Sequence, residues 1–435
     1  MTNSDWAQLS VCPPVVGSFR PPGSKSLTNR AVLCAALARG TSILSGVLDS
    51  EDTQFMVYAW RDLGLDLDWD RTACQIKLHG GGGQIPNDEA ELFIGNSGTT
   101  IRFLTAALSA THGRFVLDGV PRMRQRPIQD LLNGLSQLGG NVVSLNDEHP
   151  DCPPVEIRGQ GLKGGVARIA GNISSQFLSG LMMAAPYAKS DVVLEVHGEL
   201  VSLPYVAMTA AVMKSFGVEV EGQANGPYRI AGNQTYQACN YAIEPDASAA
   251  SYFLAAAAIT QGNMRVLGLG ENALQGDVGF ARVLEQMGCE YRCGSDWIEI
   301  QGRPLRGIDV DMNKMSDTVQ TLAVVALFAE GPTRVRGVAH NRYKETDRIG
   351  DLASELRRVG ALVTEHDDGL TIEPGTLRPG TIETYNDHRM AMSFALAGLR
   401  VDGIRISNPI CTEKTYPNYF DDMAYVTGSR LLRNA

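Results

Sequence analysis

The chain has 435 residues, 44% hydrophobic and 20% charged, the balance of a globular protein with a sizeable core rather than a disordered chain. With 38 Lys and Arg against 48 Asp and Glu the formal net charge is −10, so the molecule as a whole repels nucleic acid and anionic membranes, and any anion site must be local. The longest apolar runs, 31–38 and 322–329, are eight residues each against the roughly 20 that span a bilayer, and residues 1–20 have no signal-like apolar stretch, so the expected compartment is the cytoplasm.

Six polar lead-ins, often rich in Gly or Ser, recur at roughly 70 to 78 residues, each before an apolar helix. Gly23-Ser-Lys-Ser precedes a helix predicted at 31–38, and Gly95-Asn-Ser-Gly one at 101–108 followed by strand 116–117. Asn172-Ile-Ser-Ser leads into 177–185 and strand 192–196, and Pro245-Asp-Ala-Ser into 249–259 and strand 264–267. Met315-Ser-Asp-Thr precedes 319–329 and strand 333–338, and Tyr385-Asn-Asp-His precedes 390–399. Alternating strands and helices predict an α/β protein of six small units grouped three and three. Segments 18–23 and 241–246 are candidate hinges, placing one lobe at 20–241 and the other at 1–19 plus 242–435.

Between these elements, Gly80 to Gly83 reads as a loop tip and 147–154 as a turn rich in Pro and acids. Gly159-Gln-Gly-Leu-Lys-Gly164 matches a dinucleotide-loop pattern, but Gly165-Val-Ala-Arg-Ile after it is strand-like, so it reads as a glycine-rich hairpin connection. The eight cysteines show neither metal-ligand nor CxxC spacing and read as reduced thiols.

Ser, Asp and Asn suit helix N-caps because their side-chain oxygens accept the unpaired first-turn amides. Each helix N-terminus also carries about half a positive charge, so lead-ins facing one cleft would make an anion site. Lys25 and Arg30 add charge at the first lead-in, though an ordinary capped helix with solvated cations fits those residues equally. Arg122, Arg124 and Arg126 offer guanidinium forks for carboxylate or phosphate, or form a solvated basic loop. Lys344 and Arg348 share a face if the segment is helical, with Glu345 and Asp347 beside them, and a surface ion network is the alternative. Asp387 is a plausible helix anchor and His388 a structural residue. Asp317, Glu345 and Lys25 are the candidate proton carriers.

In this order and at these positions the motifs resemble the 5-enolpyruvylshikimate-3-phosphate (EPSP) synthases along nearly the whole chain. The matching segments are Gly23-Ser-Lys-Ser, Gly95-Asn-Ser-Gly-Thr99, Arg126-Pro-Ile, Ser174-Ser-Gln176, Lys344-Glu-Thr-Asp-Arg348, Asn386-Asp-His-Arg389 and Lys414-Thr-Tyr-Pro. The resemblance implies the two-lobed enolpyruvyl transferase fold of six βαβαββ repeats, an inside-out α/β barrel with three repeats per lobe and the active site in the cleft between lobes. It implies transfer of the enolpyruvyl group of phosphoenolpyruvate to the 5-hydroxyl of shikimate 3-phosphate, with release of phosphate. It implies no metal or organic cofactor, a monomer, and glyphosate as inhibitor.

By the same resemblance, shikimate 3-phosphate meets Lys25, Ser26, Arg30, Ser174, Ser175, Gln176, Ser202, Tyr205, Asp317 and Lys344. Phosphoenolpyruvate meets Lys25, Asn96, Gly98, Arg126, Gln176, Arg348, Arg389 and Lys414. Asp317 is the expected base, with Glu345 and Lys25 on the acid side. Two residues depart from the pattern: His340 stands where the family often has Asn, with Asn341 beside it, and Phe103 where many members have Pro. A UDP-N-acetylglucosamine enolpyruvyl transferase would pair Lys with Asn at the first motif and carry a loop cysteine, whereas here Ser26 follows Lys25 and 121–127 has no Cys. A two-lobed binding protein for phosphorylated metabolites would need the anion sites without Asp317 and Glu345.

Overall fold

The computed structural model describes residues 5–198, 200–222, 224 and 226–434, so the extreme ends of the expected second lobe, 1–4 and 435, lie outside the described residues. The chain divides into two compact units, Gly23–Ile243 and Met1–Pro22 with Glu244–Ala435, and each has its own hydrophobic core. No helix among the described residues is long and apolar enough to cross a membrane.

At the centre of each core lie helices that are buried all round. Gly98–Ser109 and Ala247–Thr260 are buried along their full length, as are Val319–Ala326 and His388–Gly398. A mostly apolar helix with no solvated face is stable only when other elements cover it on every side. In Ala247–Thr260 the run of alanines lets those neighbours approach closely. Exposure begins at the helix tips: in Lys25–Leu37 the residues that are not buried are Lys25 and Ser26, and in Ser175–Ala184 only Gln176.

Among the described residues seven sheets accompany these helices, five of four strands, one of three and one of two, and the six larger ones share one pairing order: a parallel pair, then antiparallel neighbours. Glu89–Phe93 pairs parallel with His112–Asp118 across the buried Gly98–Ser109 helix, and Gly165–Ala170 with Val192–His197 across Ser175–Ala184. Asp309–Asp311 and Thr333–Arg336 bracket Val319–Ala326 in the same way, and Gly380–Ile382 and Ile404–Ser407 bracket His388–Gly398. In the remaining two sheets the first parallel strand comes from afar: Asn240–Ala242 joins Arg39–Ser45, and Val16–Phe19 joins Asn263–Leu267. These long-range pairings are why the first 22 residues belong with the C-terminal half.

The predicted elements are short by a few residues at most ends, because strand 116–117 extends to His112–Asp118 and helix 31–38 begins at Lys25. Two turn readings need correction. Gly80 and Gly81 are the last residues of strand Gln75–Gly81, where a side chain on Gly80 would strike the Ala35 and Ala38 carbonyls. Gly159 to Gly164 is not a hairpin connection, since strands Val155–Gln160 and Gly165–Ala170 belong to different sheets and the segment passes the chain from one to the next. The 319–329 helix ends at Ala326, and Ala329 starts a strand pair with Leu305–Arg306.

Candidate active site

In the Gly23–Ile243 unit the first lead-in works as its residues suggest. A Cβ on Gly23 would run into the Gly46 carbonyl and lie 3.3 Å from the Leu48 amide, so only glycine lets the chain turn here onto Ser24, which caps the helix by accepting from the Leu27 amide. Lys25 follows, its Nζ 3.2 Å from the buried Asp52 carboxylate. Arg30, fully buried one turn on, has neutral hydrogen-bond partners: its Nε donates to Thr209 Oγ1 at 2.7 Å and Nη1 to the Ser26 carbonyl at 3.0 Å, and Nη2 donates to the Tyr205 carbonyl and Ser179 Oγ at 3.3 and 3.4 Å. Burial lowers its pKa to about 10. Tyr205 lies on helix Leu203–Ser215, which Ser202 precedes in the left-handed conformation at φ 55°.

The basic loop sends one arginine inward. Arg124 is exposed and pairs with Asp118, whereas Arg126 is buried and its Nη1 donates to Asn96 at 2.9 Å (carbonyl) and 3.2 Å (Oδ1). The guanidinium crosses the start of the Gly98–Ser109 helix so closely that a Cβ on Gly98 would lie 2.8 Å from Arg126 Cζ. Ser174 caps the next helix, Ser175 is buried behind it, and Gln176 reaches across: its Oε1 accepts from Arg102 Nη1 at 2.5 Å and its Nε2 donates to Thr99 Oγ1 at 3.2 Å. Arg102 Nη2 also donates to the Pro127 carbonyl at 3.1 Å, which ties Gln176 to the loop of Arg126. Sequence reading missed Arg102 and Asp52. Arg102 is four residues into a helix that starts at a predicted site glycine, a usable signal, while nothing local marks Asp52.

In the other unit the acids and bases gather around Asp317. Its carboxylate accepts from Lys344 Nζ at 2.6 Å, Arg389 Nη2 at 2.7 Å and Arg348 Nη1 at 3.3 Å. Arg348 is itself forked onto Asp387, Nε to Oδ2 at 2.6 Å and Nη2 to Oδ1 at 3.0 Å, and its Nη2 lies 3.0 Å from Glu345 Oε2. Burial pulls the Arg348 pKa down, but Asp387, Glu345 and Asp317 outweigh it and push it up. Lys344 goes the other way, lowered chiefly by burial with Arg348 adding to the shift. Asp277, buried and accepting from Ser248, is pushed up to about 6 by burial and by the charge of Asp317. Lys414 is buried at the end of the 3₁₀ turn Pro409–Lys414, which packs on the His388–Gly398 helix.

Five of the six lead-ins cap their helices with Ser24, Ser97, Ser174, Asp246 and Asp387. The fifth in chain order does not. Residues Asn313–Thr318 form a 3₁₀ turn, Thr318 makes no side-chain cap, and the Asp317 carboxylate is held by three cations instead. The Lys344 to Arg348 segment is also not helical: it leaves the 3₁₀ turn Ala339–Tyr343 as a bend, and both cations reach Asp317 from there. Asn341 braces this bend, donating to the Ser316 carbonyl at 3.0 Å while its own carbonyl accepts from the Arg348 amide at 3.2 Å. Asp387 caps its helix through the Arg389 amide, and His388 is buried.

A profile described as EPSP synthase (3-phosphoshikimate 1-carboxyvinyltransferase) matches residues 11–423. The chain belongs to the EPSP synthase family. A 3-phosphoshikimate 1-carboxyvinyltransferase of Nostoc punctiforme is 50% identical over 408 residues, 94% of this chain and 95% of that protein. The enzyme of the same name from Marinomonas sp. is 46% identical over 407 residues, covering 93% and 95%. Among solved structures, EPSP synthase from Acinetobacter baumannii superposes with a TM-score of 0.82 at 28% identity over 99% of this chain and 100% of that one. The enolpyruvyl transferase NikO from Streptomyces tendae, at 19% identity and a TM-score of 0.78 over 99% of each chain, shares the fold.

Proposed function

We propose that the two residue clusters each contribute ligands to both substrates of an EPSP synthase, as the motifs imply. As a member of this family the chain is a transferase that moves the enolpyruvyl group of phosphoenolpyruvate to the 5-hydroxyl of shikimate 3-phosphate, releasing phosphate, in the shikimate pathway that leads to the aromatic amino acids. Both substrates are multiply anionic, which accounts for the density of buried cations in a protein of net charge −10. In this reading Ser26, Arg30, Ser174, Ser175, Ser202 and Tyr205 from one unit and Asp317 and Lys344 from the other hold shikimate 3-phosphate. Asn96, Gly98, Arg126, Gln176, Arg348, Arg389 and Lys414 hold phosphoenolpyruvate, with Lys25 touching both. The lobes at 20–241 and at 1–19 plus 242–435 then act on one pair of substrates in a cleft.

The observation that supports this most is the carboxylate of Asp317 inside Lys344, Arg348 and Arg389. Substrate anions that draw those cations toward themselves free the carboxylate to take the proton of the attacking hydroxyl. The 5-oxygen bonds to C2 of phosphoenolpyruvate while its methylene carbon gains a proton from the side of Glu345 and Lys25. Loss of a methyl proton from the tetrahedral adduct then expels phosphate, whose charge Lys25, Arg126, Arg348, Arg389 and Lys414 stabilise. We further assign the enzyme to the cytoplasm, as a monomer, with glyphosate competing at the phosphoenolpyruvate subsite.

Asp317→Asn tests this. The amide still fits among its neighbours but accepts no proton, so phosphate release should fall about a hundredfold or more while calorimetry still detects shikimate 3-phosphate binding. Near-normal turnover would move the base role to another residue.

A further inference from the structure

We propose that Phe103, the residue that departs from the family's usual Pro, is a positioning residue that fixes the Arg30 guanidinium for its anion through its aromatic face. Arg30 Cζ lies 5.0 Å from the centroid of the Phe103 ring, within the range of a cation–π contact, and both side chains are buried. Among the described residues Arg30 makes no ion pair with a carboxylate. Its four hydrogen bonds go to the Thr209 and Ser179 hydroxyls and the Ser26 and Tyr205 carbonyls. A buried cation without a counter-ion is costly, and neutral oxygens at the rim of the guanidinium fix its edge but not its face. The negative face of the Phe103 ring supplies what is missing, with the Tyr205 ring farther off at 5.9 Å.

The same arrangement recurs one lead-in further on, which marks it as a built feature. Arg102, on the helix that carries Phe103, has its Cζ 5.0 Å from the centroid of Phe177 on Ser175–Ala184. Each of these arginines therefore lies over a phenylalanine of the helix behind the following lead-in. Arg102 uses this placement to hold Gln176, whereas the side chains that Arg30 holds are the Thr209 and Ser179 hydroxyls, and it keeps its charge for a ligand. A proline at 103 would offer no such face.

This inference rests on the reading of Arg30 as a shikimate 3-phosphate ligand, and the experiment separates the two. Phe103 is replaced in the full-length enzyme by 4-fluoro-, 3,5-difluoro- and 3,4,5-trifluorophenylalanine, which keep the ring's shape and drain its face of negative charge. The dissociation constant of shikimate 3-phosphate should rise stepwise to about tenfold across the series, while the Michaelis constant of phosphoenolpyruvate and kcat at saturation stay level. Phe103→Leu should match or exceed the last member. A purely structural contact would lower the thermal midpoint and leave the affinity flat, which overturns the proposal. Arg30→Leu is the second arm. If it weakens shikimate 3-phosphate while the fluorinated series does not, the ring has no positioning role; if it leaves the affinity intact, the ligand assignment falls and the proposal with it.

Discussion

His340 is buried beside Lys344, and burial together with the Lys344 charge lowers its pKa from 6.5 to about 3. Its Nε2 has no hydrogen-bond partner among the described residues, as suits an imidazole held neutral. An unfolded chain takes up a proton here below about pH 6.5, and the folded protein refuses it until about pH 3. Stability is therefore lost as the pH falls through that window, and at pH 5 this one group costs roughly 2 kcal/mol. His340→Gln should remove the penalty, so the drop in urea-unfolding free energy between pH 7.5 and pH 5 should be smaller by about that amount than in the parent. Equal drops would mean that His340 is not kept neutral. Arg348 shows the limit of reading residues singly. Its motif is plain in the sequence, but its forked partner Asp387 lies 39 residues away and serves at once as a helix cap.

At the scale of elements, five of the six lead-in helix starts were legible because a cap is a local device: a Ser or Asp oxygen reaches an amide two or three residues on. The Asp317 turn was not, because its competitors for the carboxylate come from 27, 31 and 72 residues away. Strand ends were misread for a related reason. Which strand a glycine-rich segment joins is decided by distant partners, as Gly165–Ala170 shows by pairing with Val192–His197 and not with the strand just before it. The Gly98–Ser109 helix start gives the clearest prediction at this scale. A methyl group on Gly98 would meet the Arg126 guanidinium, the flexible end of a side chain, so Gly98→Ala should fold while displacing that cation. Glyphosate, longer than phosphoenolpyruvate, has less room to retreat. Its inhibition constant should rise about ten- to a hundredfold, more than the Michaelis constant of phosphoenolpyruvate. Equal changes in both constants would show that Gly98 does not line the subsite.

For the whole molecule, the two cores make unequal demands on the chain. All the strands and core residues of the Gly23–Ile243 unit lie within one continuous segment. The other unit depends on the first 22 residues. Trp6–Leu9 is an inner strand, antiparallel to Ile404–Ser407 on one side and Leu431–Arg433 on the other, and Val16–Phe19 extends the sheet of Asn263–Leu267. Leu9 and Val15 are buried in that core, and their burial alone contributes about 3 to 6 kcal/mol. A typical domain has only about 5 to 15 kcal/mol of net stability, so a fragment lacking these strands falls near or below the threshold of folding. Expressed alone, residues 23–243 should therefore unfold cooperatively in urea when followed by circular dichroism, and residues 244–435 should not. Joining residue 435 through a short linker to residues 5–22 should restore the missing transition, because Arg433 already lies opposite Ala7 and the linker closes a hairpin. Cooperative unfolding of 244–435 by itself, with an unchanged dependence on urea, would show that the N-terminal strands are dispensable to that core. Neither part alone should release phosphate from phosphoenolpyruvate, since the proposed ligands of each substrate come from both.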